Sequence, residues 1–445
     1  MKERFFEETD HHRKAELRQE IEHKLNECFA SSKKSLGYEI NFDFNINFSE
    51  VFNAKGGFDA VIANPPYIDS EAMTKDSPQL RKLIQASYSM TKGNWDVYIA
   101  FYEKGLGLLG LQGVLSFITP DKWISKPFGD AMRIKTVDKM FSILKAGRSV
   151  FESVNVDAIV SVFINMPQPF LRINEYAGTE VRLKRVVRKD TLKPPYAYDW
   201  LFSNYVDLLA KLDTCREKLS GLGLCENACA TSDAYKLREF VEEEPKAARQ
   251  HEYLRIINTG TISKYVSRWG HREMVYLGNR YCRPVVNKKR FLEEFRNSYG
   301  QKAVKQKLIV KGLNLLDACL DSEGTTIPGK TTLMITSENL QTLKLLLAIV
   351  NSSAAFFYLK EKYPASSYNQ GTTFTREMIN NLPLPEIASE NRVKLVSTVD
   401  HILAAKRHDP AADTSALESE IDRHVYALYG LTKEEIAIVG GAEGS

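Results

Sequence analysis

With 445 residues and 43% hydrophobic content, the chain has room for about three ordinary domains with packed cores, which excludes a disordered tail or a disulfide-stapled miniature. Residues 1–20 are dense in charge without an apolar run, and the most apolar stretch, 343–350, carries Lys344 and is too short to span a bilayer, so neither secretion nor a membrane is indicated and a cytoplasmic protein is expected. Six cysteines at irregular spacing do not make a disulfide framework; the close pair Cys225 and Cys229 lacks two further ligands at zinc spacing, and no metal is assigned. The net charge of +4 is modest but uneven. Residues 283–311 hold nine cations (Arg283, Lys288, Lys289, Arg290, Arg296, Lys302, Lys305, Lys307, Lys311) against Glu293 and Glu294, so this stretch is +7 and the remainder −3. Such a segment is a footprint for a polyanion, although solvated helix faces also collect lysines.

In chain order, Leu17, Ile21, Leu25 and Phe29 recur at helical spacing, which predicts an amphipathic helix over 11–30 whose stripe needs a partner. The aromatics Tyr38, Phe42, Phe44 and Phe48 predict a strand and its exit. Phe58-Asp59-Ala60-Val61-Ile62-Ala63, introduced by Gly56-Gly57 and stopped by two prolines, predicts a buried strand ending in the rigid loop Asn64-Pro65-Pro66-Tyr67. Sites in α/β sheets lie outside the carboxyl ends of strands, and this end offers an amide, fixed carbonyls and an aromatic face. That set suits methylation of a planar amino group. Asn64 Oδ1 and the Pro65 carbonyl can accept both amine hydrogens and draw the nitrogen toward a more nucleophilic form, while Tyr67 stacks on the ring. Four residues alone describe a stiff turn equally well.

Trp95, Ile99, Tyr102, Leu106 and Leu109 mark a helix capped by Asn94; 114–118 and 156–164 read as further strands of a mainly parallel sheet. Gly105-Leu106-Gly107-Leu108-Leu109-Gly110 follows a helix and precedes a strand, the reverse of a dinucleotide loop, and is rejected as one. Pro167, Pro169 and Pro194-Pro195 punctuate a connector, and Leu340, Leu343, Leu347, Val350 and Phe357 predict one long helix. Helices at 393–406 and 415–429 follow, with Thr432-Lys433-Glu434-Glu435 as a capping box for a third. The expected domains are 1–168, a connector at 169–200, 201–385, and a helical segment at 386–445.

Residues 58–68 (FDAVIANPPYI) resemble the catalytic motif of DNA adenine-N6 methyltransferases, and 93–125 resemble the segment that follows it in the Taq-type branch. Residues 256–278 and 417–439 resemble the C-terminal half of type IIG restriction-modification enzymes, so the likeness runs in order from about Phe42 onward. It implies an α/β chain: an incomplete Rossmann-like methyltransferase sheet, then an α+β DNA-recognition domain and a C-terminal helical segment. It implies that Asn64, Pro65, Pro66 and Tyr67 are catalytic, that Phe163 joins Tyr67 in stacking on a flipped adenine, and that Asp43 and Phe44 touch the adenine of S-adenosylmethionine. Tyr265, Arg268, Trp269 and Arg272, followed by Lys288, Lys289 and Arg290, are the expected contacts to double-stranded DNA.

The glycine-rich donor loop of such enzymes has no counterpart before the catalytic strand, where only Gly37, Gly56 and Gly57 occur. The expectation is therefore a truncated methyltransferase whose N-terminal part is supplied by a separate chain, and which does not methylate DNA alone. The alternative is a non-catalytic DNA-binding or specificity remnant. Protein glutamine methyltransferases share the four-residue motif, but the large basic C-terminal region disfavours them. Glu244-Pro245-Lys246 resembles a nuclease Glu-x-Lys without a well-placed upstream Asp, and no endonuclease activity is expected.

Overall fold

The computed structural model describes residues 1–36, 42–147, 157–177, 179–246, 252–364, 367–368 and 371–441. It divides into two compact units, 1–202 and 203–445. The chain is α/β in class. In the first unit six strands form one mixed sheet in the order β1-β2-β4-β3-β5-β6, with β1 Phe58–Ala63, β2 Leu109–Pro120, β3 Met140–Gly147, β4 Ala158–Ile164, β5 Phe170–Ala177 and β6 Glu180–Arg188. Pairs β1/β2 and β3/β5 are parallel, whereas β2/β4, β3/β4 and β5/β6 are antiparallel, so the sheet is less parallel than the sequence predicts.

Two glycines fix the entry to β1. Gly56 caps the helix Ser49–Lys55 in the left-handed region at φ 73°, and Gly57 lies so close to the start of β2 that a Cβ there would come within 2.5 Å of the Gly110 nitrogen. They serve a turn and a close approach. The helix Tyr98–Gly107 then packs on β2, which confirms that Gly105 to Gly110 run from helix into strand. Its start differs from expectation: Val97, not Asn94, is the N-cap, because 93–97 are committed to other contacts.

Four further expectations are corrected. β1 is an edge strand among the described residues, and Ile62 is 81% exposed, so it is not buried on both faces. Phe44–Asn47 and Ser49–Lys55 are helical rather than extended; Tyr38 lies outside the described residues. Phe170–Ala177 and Glu180–Arg188, expected as connector, are the strands β5 and β6, and Leu171 and Ile173 seat β5 in the core. The Leu340 helix breaks after Val350 and resumes as Ser353–Lys362 at 64°, because the Asn351 carboxamide turns to Ala318, donating to its carbonyl (3.0 Å) and accepting from its N–H (2.8 Å).

A buried arginine locks the end of the first unit. Arg133 donates to the carbonyls of Pro195 (2.9 Å), Lys126 (3.1 Å) and Trp123, and pairs with Asp130, so the guanidinium is satisfied although it is fully buried. In the second unit two four-stranded sheets are followed by the helices Ser389–His408, Ser415–Leu428 and Lys433–Gly441. The capping box forms as expected: Thr432 N–H donates to Glu435 Oε2 (2.7 Å) and Glu435 N–H to Thr432 Oγ1 (3.3 Å). No single helix among the described residues is long and apolar enough to cross a membrane.

Candidate active site

β1 runs parallel to β2 with Val61 opposite Leu115 and Ala63 opposite Phe117, so Asn64 leaves the sheet at its carboxyl end. Two successive prolines then forbid both helix and ladder, and the chain leaves as a loop. Pro65 is buried, Tyr67 half-buried, and Asn64 and Pro66 exposed. The Asn64 carboxamide has no hydrogen-bond partner among the described residues. Tyr67 Oη points to the Ile118 carbonyl at 3.5 Å, and burial raises its pKa, so the phenol stays neutral. The loop exit is held by Val97 N–H donating to the Ile68 carbonyl (2.9 Å) and Ser70 N–H donating to Asp96 Oδ1 (3.3 Å).

Beneath this rim lies a buried polar network. Tyr102 Oη meets Ser161 Oγ (2.6 Å) and Thr119 Oγ1 (3.1 Å), which also accepts from Trp123 Nε1 (3.1 Å). Helix, β2, β4 and the turn after β2 are thereby joined by groups that satisfy one another, a condition for keeping polar atoms in a core. Asp121, next along that turn, has its pKa pushed up to about 6, first by burial and then by Asp157, against the pull of Lys145 and Lys126. Asp96 is 6% exposed; burial raises its pKa, and the Tyr98 hydroxyl, donating at 2.9 Å, and Lys122 oppose the rise. Neither carboxylate stood out in the sequence, where single Asp residues at a strand exit and a helix start carry no pattern.

The other expected site residues are not gathered here. Phe163 is fully buried, its ring 5.6 Å from Tyr102 and 6.4 Å from Trp123, so it is a core residue without a face free for a base. Asp43 spends a carboxylate oxygen capping the helix Phe44–Asn47, accepting from Asn45 N–H (2.9 Å) and Ile46 N–H (3.1 Å). The Phe44 ring sits 6.2 Å from Phe58, at the start of β1, and Asn64 follows the far end of that six-residue strand, roughly 20 Å away at strand rise. The pair and the loop do not face each other.

In the second unit Tyr265 and Trp269 are corrected as well: they are 3% and 8% exposed and belong to a core, not to a surface open to nucleic acid. Tyr265 sits in the turn of a short hairpin, Ile262–Ser263 with Val266–Ser267, and Trp269 just beyond it, so the two do not share a helical face. The guanidinium groups of Arg255 (4.7 Å) and Arg283 (4.5 Å) both lie over the Trp269 ring, and its indole N–H donates to the Pro284 carbonyl (2.8 Å), so the ring and its polar edge are already engaged. Arg268 is half-buried and Arg272 exposed. Lys288, Lys289 and Arg290 are exposed in the first turn of the helix Lys288–Glu294, where Arg290 covers the Phe240 ring at 4.3 Å. The basic stretch is partly self-neutralised: Arg283 pairs with Glu244, Lys302 with Glu226, Lys307 with Asp321 and Lys311 with Asp317. Glu244, of the Glu-Pro-Lys triplet, is thus an ion-pair partner.

The first unit thus places an exposed amide, Asn64, in a proline-rigid loop at the carboxyl end of β1. Residues 2–144, about a third of the chain, match the family model described as Eco57I restriction-modification methylase. The chain is 29% identical over 90 residues to the type II restriction enzyme and methyltransferase RM.Eco57I of Escherichia coli, covering 20% of this chain and 9% of that protein. It is 34% identical over 79 residues to the type II methyltransferase M.PaeR7I of Pseudomonas aeruginosa, covering 18% and 13%. The aligned segments thus span only a small part of these relatives. Among solved structures, the type IIL restriction-modification enzyme MmeI, determined in complex with DNA, shares the fold with a TM-score of 0.53 at 11% identity, over 93% of this chain and 62% of that one.

Proposed function

We propose that this chain carries the base-binding and DNA-recognition parts of an adenine-specific DNA methyltransferase of a restriction-modification system, akin to type IIG enzymes. The observation that carries the reading is the Asn64 loop: a rigid turn at the carboxyl end of β1, with a carboxamide that no other described group engages and a neutral Tyr67 ring beside it. Asn64 Oδ1 and the Pro65 carbonyl accept the two hydrogens of an extruded adenine's exocyclic amine, and Tyr67 stacks on the base. S-adenosylmethionine, when bound, supplies the methyl group. The described residues do not by themselves fit that cofactor at the Asn64 end, because Phe44, and Asp43 beside it, lie at the opposite end of β1. The reading therefore rests on the base side. Matches to methylases and the fold shared with a DNA-bound restriction-modification enzyme support duplex DNA as the partner.

The test is methyl transfer from S-adenosylmethionine to an unmethylated duplex, by the chain alone and with a separate chain that supplies the donor-binding part, followed as N6-methyladenine by mass spectrometry of the nucleosides. Asn64→Ala should lower the rate by about 10²-fold, the usual cost of one preorganised polar partner, without weakening duplex binding. Normal turnover in that variant would remove Asn64 from the mechanism. A chain that binds duplex yet never methylates it, even with a donor-binding partner chain present, would favour the second reading, a non-catalytic specificity protein, to which the position of Asp43 and Phe44 lends weight.

A further inference from the structure

A loop of two prolines and an exposed amide is rigid within itself but can swing as a body unless its ends are held. Its entry is fixed by the β1/β2 ladder, which ends at Ala63 opposite Phe117. Its exit has no ladder and meets the segment 93–98 instead. Trp95 and Tyr98 are 0% and 1% exposed, so that segment is anchored in the core. The Arg81 guanidinium lies 4.8 Å over the Trp95 ring and donates to the Gly93 carbonyl (3.0 Å), bracing it from the other side. From this base Val97 N–H reaches the Ile68 carbonyl and the Asp96 carboxylate bridges two elements, accepting Ser70 N–H at Oδ1 and the Tyr98 hydroxyl at Oδ2.

We infer that Asp96 is a positioning residue for the Asn64 loop, setting where the Asn64 carboxamide and the Tyr67 ring stand relative to a bound base. This rests on the proposed methyltransferase reading and adds a role that neither the motif nor the matched families name. Asp96 touches no reacting atom in this account. It acts through Ser70, six residues beyond Asn64, at the one end of the loop that the sheet does not fix. The bridge needs an acceptor toward Ser70 and a polar atom toward Tyr98; an amide supplies both, since its nitrogen can donate to the Tyr98 oxygen. A methyl group supplies neither.

Asp96→Ala and Asp96→Asn in the full chain therefore separate the role from mere folding. Asp96→Ala should speed amide hydrogen exchange at Ser70 roughly tenfold, the loss of about one hydrogen bond, while exchange in the β2/β4 ladder stays as in the wild type. In the methylation assay it should lower kcat by about 10²-fold with duplex affinity nearly unchanged, as a small misplacement of a reacting pair does. Asp96→Asn should restore both. Wild-type exchange and kcat in Asp96→Ala would overturn the inference, and so would equal loss in both variants accompanied by exchange throughout the first unit. A wild-type chain without methyl transfer even when a separate donor-binding chain is supplied would count against the proposed function, and the Ser70 exchange, with its rescue by Asn, would still decide whether Asp96 holds the loop.

Discussion

The Asn64 loop and the stretch from Tyr265 to Lys311 both combine aromatic and polar residues in a way that draws attention, yet folding treats them oppositely. In the loop, two prolines remove the backbone donors that would otherwise seek partners, and the carboxamide is left with no partner among the described residues. In the second stretch many of the conspicuous groups find an internal partner: Trp269 beneath two arginines, Tyr265 in the core, and five of the twelve lysines and arginines in ion pairs. Residue type alone does not separate the two cases. What separates them is whether the local backbone allows self-satisfaction.

The largest test of this contrast is the buried pair Lys307–Asp321, where Nζ also donates to the Ala303 carbonyl (2.6 Å) and Asp321 accepts Thr325 and Thr326 N–H. Lys307→Ala should cost about 3–5 kcal/mol in urea unfolding by leaving a carboxylate buried alone. If the loss is below about 1 kcal/mol, the cation is not structural and belongs again with the DNA footprint.

Next comes Asp121, in the turn that follows β2. Its folded pKa of about 6 lies above the ordinary carboxylate value, so the unfolded chain loses this proton first. Stability from this group therefore falls as pH rises from about 4 to about 6 and stays reduced above that. Asp121→Asn should stabilise the protein by about 1–2 kcal/mol at pH 7, allowing for solvent screening, and by nothing near pH 3.5. A pH-independent difference between the two proteins would refute the assigned cause.

The smallest effect is expected where cations remain exposed. Replacing Lys288, Lys289 and Arg290 by Ala should leave stability almost unchanged and reduce the log-log salt slope of duplex binding by up to about 2.7. An unchanged slope in fluorescence anisotropy would place them on a solvated face.

Much of the first unit was legible because its strands are short apolar runs between glycines and prolines; β1, β2 and β4 fall where those runs are. β5 and β6 were missed because Pro167 and Pro169 look like a connector and β6 faces outward, with Val181 and Leu183 more than half exposed among charged neighbours. The capping box at Thr432 was readable because it is local, four residues satisfying one another. Phe163, Tyr265 and Trp269 were not, since their burial comes from partners as distant in sequence as Tyr102 or Arg255. Asp96 escaped for the same reason. Its meaning lies in Ser70, twenty-six residues earlier.

The bend after Val350 has a consequence of its own. There Asn351 stands in for a piece of backbone, offering Ala318 one donor and one acceptor as a neighbouring strand would. Of the short side chains only a carboxamide can imitate a peptide unit in this way, and an aspartate, identical in shape, would set a second oxygen against the Ala318 carbonyl. The junction is thus written in chemistry rather than in shape, and a single hydrolysed amide would erase it. At 3% exposure, Asn351 is kept from that ageing by the same packing that it completes.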